Sequence, residues 1–215
     1  LQVYYSPYVI QPPSARMAKN GAVRVSVRWL GQTQEREGPL ATRTPNVNIV
    51  SLTLNGFGPP MDTLSLPYVA GTQIRSFVAH AGDVQGSATV RIGDDAILPI
   101  QVVPGGLTFA PTEAAVRRVR VGAPIAIRVQ ASVLDPGTLA VGAAYSVGPP
   151  SGVRVHATLS TAGVVSAPVG DGIINGGNQS TFLTFTALAP GQVDVRLVQP
   201  QGFATPATNT SVRII

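Results

Sequence analysis

Residues 22–30 read Ala-Val-Arg-Val-Ser-Val-Arg-Trp-Leu. Val23, Val25, Val27 and Trp29 fall on one side of an extended chain, and Arg24, Ser26 and Arg28 on the other. Period-two alternation of this kind marks a half-buried antiparallel strand. Val23, Val25, Val27 and Trp29 are therefore expected in a core, with Arg24 and Arg28 in solvent. The turn dipeptide Asn20-Gly21 precedes the stretch.

The same grammar continues in both directions. Residues 48–54, 73–79, 87–92 and 97–103 are further expected strands, separated by breakers such as Asn55-Gly56-Phe57-Gly58-Pro59-Pro60 and Asp94-Asp95. A second alternating run spans Pro124–Val133, with Ile125, Ile127, Val129 and Ala131 facing Ala126, Arg128, Gln130 and Ser132. Residues 153–159, 181–187, 192–198 and 210–214 follow, again between Gly/Pro turns. Short strands at this spacing, with no helical run, imply an all-β sandwich fold. The chain has 23 Gly and 19 Pro in 215 residues, which supplies the turns.

Pro104-Gly105-Gly106 divides the sequence into halves of about a hundred residues, the size of one β-sandwich domain. The expected organisation is residues 1–10 as a first strand or an N-terminal extension strand, 11–103 as a first sandwich, 104–106 as a linker and 107–215 as a second sandwich. Pro-Gly-Gly cannot readily continue a ladder, hence the linker.

The second half has a recognisable order. It runs LTFAP (107–111), an alternating strand, PPSGVRVHATLS (149–160), a Gly/Asn-rich bend, TFLTFTALAPGQVDVRLVQP (181–200) and TNTSVRII (208–215). This resembles the tandem immunoglobulin-like modules of large bacterial secreted and cell-surface proteins, in which a P-x-G-V-x-V-x-x-x-L-S strand precedes a strand ending near G-x-V-x-V. The first half fits more loosely, through residues 11–27 and 86–92. The resemblance implies two immunoglobulin-like antiparallel β-sandwiches in tandem, and an extracellular spacer, adhesive or fibre-building role.

Charge and composition narrow the function. Fifteen basic residues against ten acidic give +5. Fourteen of the fifteen are Arg, scattered singly except for Arg117, Arg118 and Arg120, which are mixed with valines in 116–121, as expected of a strand with a solvated face. A nucleic-acid surface needs several cations on one face, so no nucleic-acid partner is expected. No stretch approaches the roughly 20 apolar residues of a membrane helix, so no membrane insertion is expected either. Cys is absent, which removes disulfides, thiol catalysis and Cys-ligated zinc. The sequence starts at Leu1 and not Met; removal of a leader would place the protein outside the cytoplasm, and excision from a larger protein is the alternative. Asn178-Gln179-Ser180 and Asn209-Thr210-Ser211 fit the glycosylation sequon, which matters only in a eukaryotic secretory setting.

No constellation for catalysis stands out. His80 and His156 lie in strand-like text with no G-x-S-x-G elbow and no acid in the same strand, and read as surface or edge-strand histidines. The ten acids fall mostly in turns, where Asp caps the backbone. The Gly-rich run 170–177 lies between strands and not ahead of a helix, so it makes no phosphate cradle. Asp94-Asp95, and Asp171 with Asn175 and Asn178, offer oxygen ligands in loops suited to calcium, but turn chemistry explains them. The expectation is a protein that is not an enzyme, with no cofactor and no metal site.

One segment asks for a function. Leu1–Ile10 (LQVYYSPYVI) holds three of the five tyrosines. Leu1, Val3, Tyr5 and Val9 lie on one side of an extended chain, Tyr4, Tyr8 and Ile10 on the other, so both faces are apolar. Such a segment can be an in-domain first strand, or it can add to the sheet edge of another molecule. Head-to-tail addition generates an open filament. Leu1, Val3, Tyr4, Tyr5, Tyr8, Val9 and Ile10 are therefore the candidate donor strand, and copies of the same chain the expected partner. A surface glycan or host protein is the partner if the chain is instead an adhesive or carbohydrate-binding module excised from a larger secreted protein.

Overall fold

A computed structural model describes residues 8–30, 39–67, 74–94, 96–149, 152–168 and 172–215. Every regular element among them is a β-strand. The residues group into two compact units, Leu1–Val102 with Gly148–Pro150, and Val103–Val147 with Ser151–Ile215.

In the first unit the strands are β1 (Tyr8–Gln11), β2 (Ala15–Ala18), β3 (Ala22–Trp29), β4 (Leu40–Arg43), β5 (Val50–Thr53), β6 (Thr63–Leu66), β7 (Ile74–Ala81), β8 (Gly86–Ile92) and β9 (Ala96–Val103). They make two sheets, β1-β3-β7-β5 and β2-β9-β8-β4-β6. The first has the A-B-E-D order of an immunoglobulin domain, and β9-β8-β4 reproduces its G-F-C order. Alternation explains the core between them. Val25, Val27, Leu52 and Phe77 come from the first sheet, and Val90, Ile92, Leu98 and Ile100 from the second; all are fully buried. Arg24 and Arg28 are exposed, as the pattern of β3 requires.

In the second unit the strands are β10 (Gly105–Phe109), β11 (Val116–Arg117), β12 (Pro124–Leu134), β13 (Val141–Ala144), β14 (Val153–Leu159), β15 (Gly172–Ile174), β16 (Ser180–Thr186), β17 (Val193–Val198) and β18 (Ser211–Ile214). The long β12 takes β10 on one edge; its other edge is shared by β16 along Pro124–Gln130 and β13 near Ser132 and Leu134. The second sheet is β11-β18-β17-β14-β15, antiparallel except for β11 and β18, which run parallel. Ile125, Ile127 and Val129 are buried while Ala126 and Arg128 are exposed. The strand order again matches an immunoglobulin-like sandwich, with β10-β12-β16 facing β18-β17-β14. The all-β, immunoglobulin-like fold is therefore that of the sequence reading.

Four local expectations are corrected. Pro104–Gly106 is not a linker between ladders: Gly105 and Gly106 open β10, opposite Val133 and Ser132. The reason is space. A Cβ on Gly106 would stand 2.7 Å from Pro206 Cγ and 2.9 Å from the Ala204 carbonyl oxygen, so glycine here permits close approach, not a turn. Trp29 is only half-buried, because it ends β3 at the rim and stacks on an edge-strand tyrosine. Residues 116–121 hold a strand only at Val116–Arg117. His80 sits on β7, between β3 and β5 and not at an edge.

Candidate assembly edge

β1 opens the first unit at the rim of its sheet. It pairs antiparallel with β3, placing Tyr8 opposite Trp29, Val9 opposite Arg28, Ile10 opposite Val27 and Gln11 opposite Ser26. The Tyr8 and Trp29 rings meet edge to face, 5.1 Å between centroids at 64°, a favoured aromatic geometry. Tyr8 and Ile10 are half-buried, and both pack on the core cluster. Val9 points the other way and is 45% exposed.

This places the candidate donor-strand residues in two groups. Tyr8, Val9 and Ile10 already have a partner strand in their own chain, which corrects the expectation that the whole of residues 1–10 is handed to a neighbour. The side chains of Tyr8 and Ile10 are needed at home, since they pack on the first unit's core. Leu1, Val3, Tyr4 and Tyr5 lie outside the described residues. Among the described residues the β1–β3 ladder runs from Tyr8 opposite Trp29 to Gln11 opposite Ser26.

The outer edge of β1 carries no strand among the described residues. The sheet face beside it is partly apolar. Val9, Arg28 and Ile74 stand opposite one another in one row across β1, β3 and β7. Val9 and Ile74 are exposed, and Leu30 beyond the end of β3 is exposed as well.

The equivalent strand of the second unit is treated differently. β10 is buried at all five residues. The segment between β17 and β18 lies along it. Gln199 brackets Leu107: its Oε1 accepts from the Leu107 N–H at 2.7 Å, and its Nε2 donates to the Leu107 carbonyl at 2.9 Å. The Ala204 N–H donates to the Gly105 carbonyl, and the Phe109 N–H to the Asn209 carbonyl, each at 2.8 Å. Pro206 is buried over Gly106. This side of β10 is sealed by irregular backbone, a standard protection for an edge strand.

Other chemistry-bearing residues are engaged locally. The Thr53 hydroxyl lies 2.9 Å from His80 Nε2, and burial holds the His80 pKa below its usual 6.5. Arg117 pairs with Glu113 and also donates to the Ala126 carbonyl at 3.0 Å; Glu113 Oε1 accepts from the Arg128 N–H at 2.9 Å. Of the arginine cluster at 117–120, Arg117 is thus spent inside the second unit. Asp135 caps its own turn by accepting from the N–H groups of Gly137 and Thr138. Among the described residues no three His, Asp or Glu side chains group to hold a metal ion. Asp95 and Asp171 lie outside them.

Sequence reasoning missed the buried polar row Thr108, Ser132 and Gln130. The Thr108 and Ser132 hydroxyls are 2.9 Å apart, and Gln130 Nε2 donates to Ser132 Oγ at 3.1 Å. It also missed the exposed Phe57 and Phe182. The only signal for Phe182 was its register opposite Arg128 on the solvated face of β12.

No family model matches the chain, and no curated protein does. Solved structures with similar folds include the calcium-binding domain CBD12 of CALX1.1, at 12% identity and TM-score 0.34, covering 96% of this chain and 98% of that one. Domains 5–6 of the S-layer protein SbsC match at 13% identity and TM-score 0.32, covering 98% and 97%. The fibronectin(III)-like modules of Clostridium thermocellum CbhA match at 13% identity and TM-score 0.31, covering 97% and 93%. The fold assignment rests on the strand orders given above.

Proposed function

We propose that the chain is a non-enzymatic extracellular structural module that builds a surface filament from copies of itself by β-strand addition at the β1 edge. The observation that carries this reading is the contrast, among the described residues, between a β1 edge with no covering segment and a sealed β10. An exposed strand edge is a template for another chain. Leu1, Val3, Tyr4 and Tyr5 supply the intermolecular part of the segment, and Tyr8, Val9 and Ile10 anchor it in β1. Burial of such side chains contributes roughly 1.5–3 kcal/mol each, and the backbone ladder fixes the register. The repeated immunoglobulin-like architecture and the low charge suit an extended surface assembly.

The test is truncation. Removal of residues 1–6 leaves both units folded by circular dichroism and abolishes assembly in light scattering and electron microscopy. If the intact chain is a monomer at all accessible concentrations, or if the truncated chain still forms filaments, the proposal fails.

A further inference from the structure

The sheet β2-β9-β8-β4-β6 turns one face to solvent, and two arginines stand directly opposite each other on it. Arg43 on β4 is the cross-strand partner of Arg91 on β8. Both are exposed. Thr63 on β6 lies across from Arg43 in the same row. No Asp or Glu occurs on any of the five strands. Among the described residues neither arginine has an ion pair or hydrogen bond. Like charges directly opposite on a sheet destabilise it, so the fold tolerates a repulsion here that it does not relieve.

In the second unit the corresponding sheet sets a carboxylate, not a second arginine, opposite an arginine: Asp194 on β17 lies across from Arg213 on β18. Arg213 Nε donates to Asp194 Oδ1 at 2.8 Å, and Arg196 Nη2 stands 3.7 Å from Oδ2. Hydrogen bonding from Arg213 holds the Asp194 carboxyl below the usual range. One carboxylate serves two arginines there. The five strands of the first unit's sheet carry arginines and no carboxylate.

We propose that Arg43 and Arg91 bind the anionic groups of an acidic polysaccharide. The guanidinium fork matches carboxylate and sulfate geometry, and an anion bridging the two side chains would offset the repulsion between them. The surroundings fit a sugar chain. Thr63, Ser65, Ser87 and Thr89 are exposed on the same strands and present hydroxyls that can donate and accept. None of the five strands carries an aromatic residue, so the face lacks the platforms on which nucleic-acid bases stack. A second copy of this chain, itself at +5, does not complement the charge. The inference stands independently of self-assembly at β1.

The test measures binding of the full chain to polygalacturonate, heparin, neutral dextran and an oligothymidylate. Binding to one or both acidic polysaccharides, weakening as salt rises from about 50 to 200 mM, and none to dextran, is expected. Arg43→Gln with Arg91→Gln weakens it by about tenfold or more. Arg24→Gln with Arg28→Gln removes the same charge from the other sheet and changes affinity by less than about twofold, because exposed charges a Debye length away are screened. The Arg43/Arg91 variant melts no lower than the intact chain, since a repulsion has been removed. Equal losses in the two double variants, no binding by the intact chain, tighter binding of the oligothymidylate, or a lower melting point of the Arg43/Arg91 variant would each overturn the proposal.

Discussion

β1 and β10 occupy the same place in their respective sandwiches and have opposite surroundings. β10 is buried at every residue and stapled by Gln199, Ala204 and Asn209. β1 alternates between half-buried and exposed, and its outer edge carries no strand among the described residues. The difference originates in the connection before the last strand of each unit. In the second unit, twelve residues lie between β17 and β18; in the first, three lie between β8 and β9. Three residues only turn the chain. Twelve reach across to the first strand and cover it. The β10 edge is therefore closed by a loop far away in sequence, not by the strand's own residues.

The largest effect is expected where the seal is tightest. Gly106→Val would drive a side chain into Pro206 and the Ala204 carbonyl oxygen, both within 3.0 Å of the position of a Cβ. Overpacking against backbone costs up to ~3 kcal/mol. Urea unfolding should show the loss in the second unit, together with new association as β10 is uncovered. A Gly106→Val chain as stable as the parent would show that the 204–206 segment yields freely and does not seal the strand.

Gln199→Ala tests the same seal by its hydrogen bonds. Both backbone groups of Leu107 lose their partner, and an unmet buried group costs about 1–3 kcal/mol. Leu107 amide exchange should accelerate. Unchanged exchange would mean that water substitutes for the side chain without penalty.

Much of this frame is legible in the sequence, and the parts that are not share a cause. The alternations of β3 and β12 depend on one strand and its two faces, so they can be read directly. β12 departs from alternation after Val129, where Gln130 and Ser132 are buried. The Gly105-Gly106 pair looks like a turn because nothing local announces Pro206, a hundred residues on. Trp29 looks like core because its face is apolar, while its place at the end of β3 depends on where the sheet stops. Strands β4 (LATR) and β6 (TLSL) are not legible as separate elements, because Thr42 is buried where a polar residue reads as solvated and only two leucines mark the inner face of β6. For the candidate donor segment, composition points to Leu1–Ile10, but nothing in it announces that Tyr8–Ile10 pair with β3 of the same chain.

Acid separates the two units. Burial holds His80 below 6.5 in the folded first unit. Well above 6.5 the residue is neutral in both folded and unfolded chains and stability is highest. As pH falls through 6.5 the unfolded chain takes up the proton first, so stability declines, and the decline levels off below the folded-state value. The melting transition of the first unit should fall over this window, and His80→Gln should flatten that part of its pH dependence. A transition that does not move with pH, or one equally steep in the variant, would contradict the placement of His80 inside the β3-β7-β5 layer.

The smallest effect on stability is the most informative about the edge. Val9 faces solvent on β1, with Arg28 across from it on β3 and Ile74 one strand further. Val9→Lys removes little burial but sets a cation opposite Arg28, so folding stability should fall by no more than about 1 kcal/mol. Charged side chains on an edge strand also block pairing with a second chain, and lysine is the residue natural sheets favour for this. The variant should therefore melt within a few degrees of the parent yet remain monomeric at concentrations where the parent assembles, as sedimentation velocity would show. The two readouts separate the roles of β1. Were Val9→Lys to unfold the first unit, Val9 would belong to its core and not to an interface. Were it to assemble like the parent, the open edge of β1 would have no part in association, and the contrast with β10 would concern stability alone.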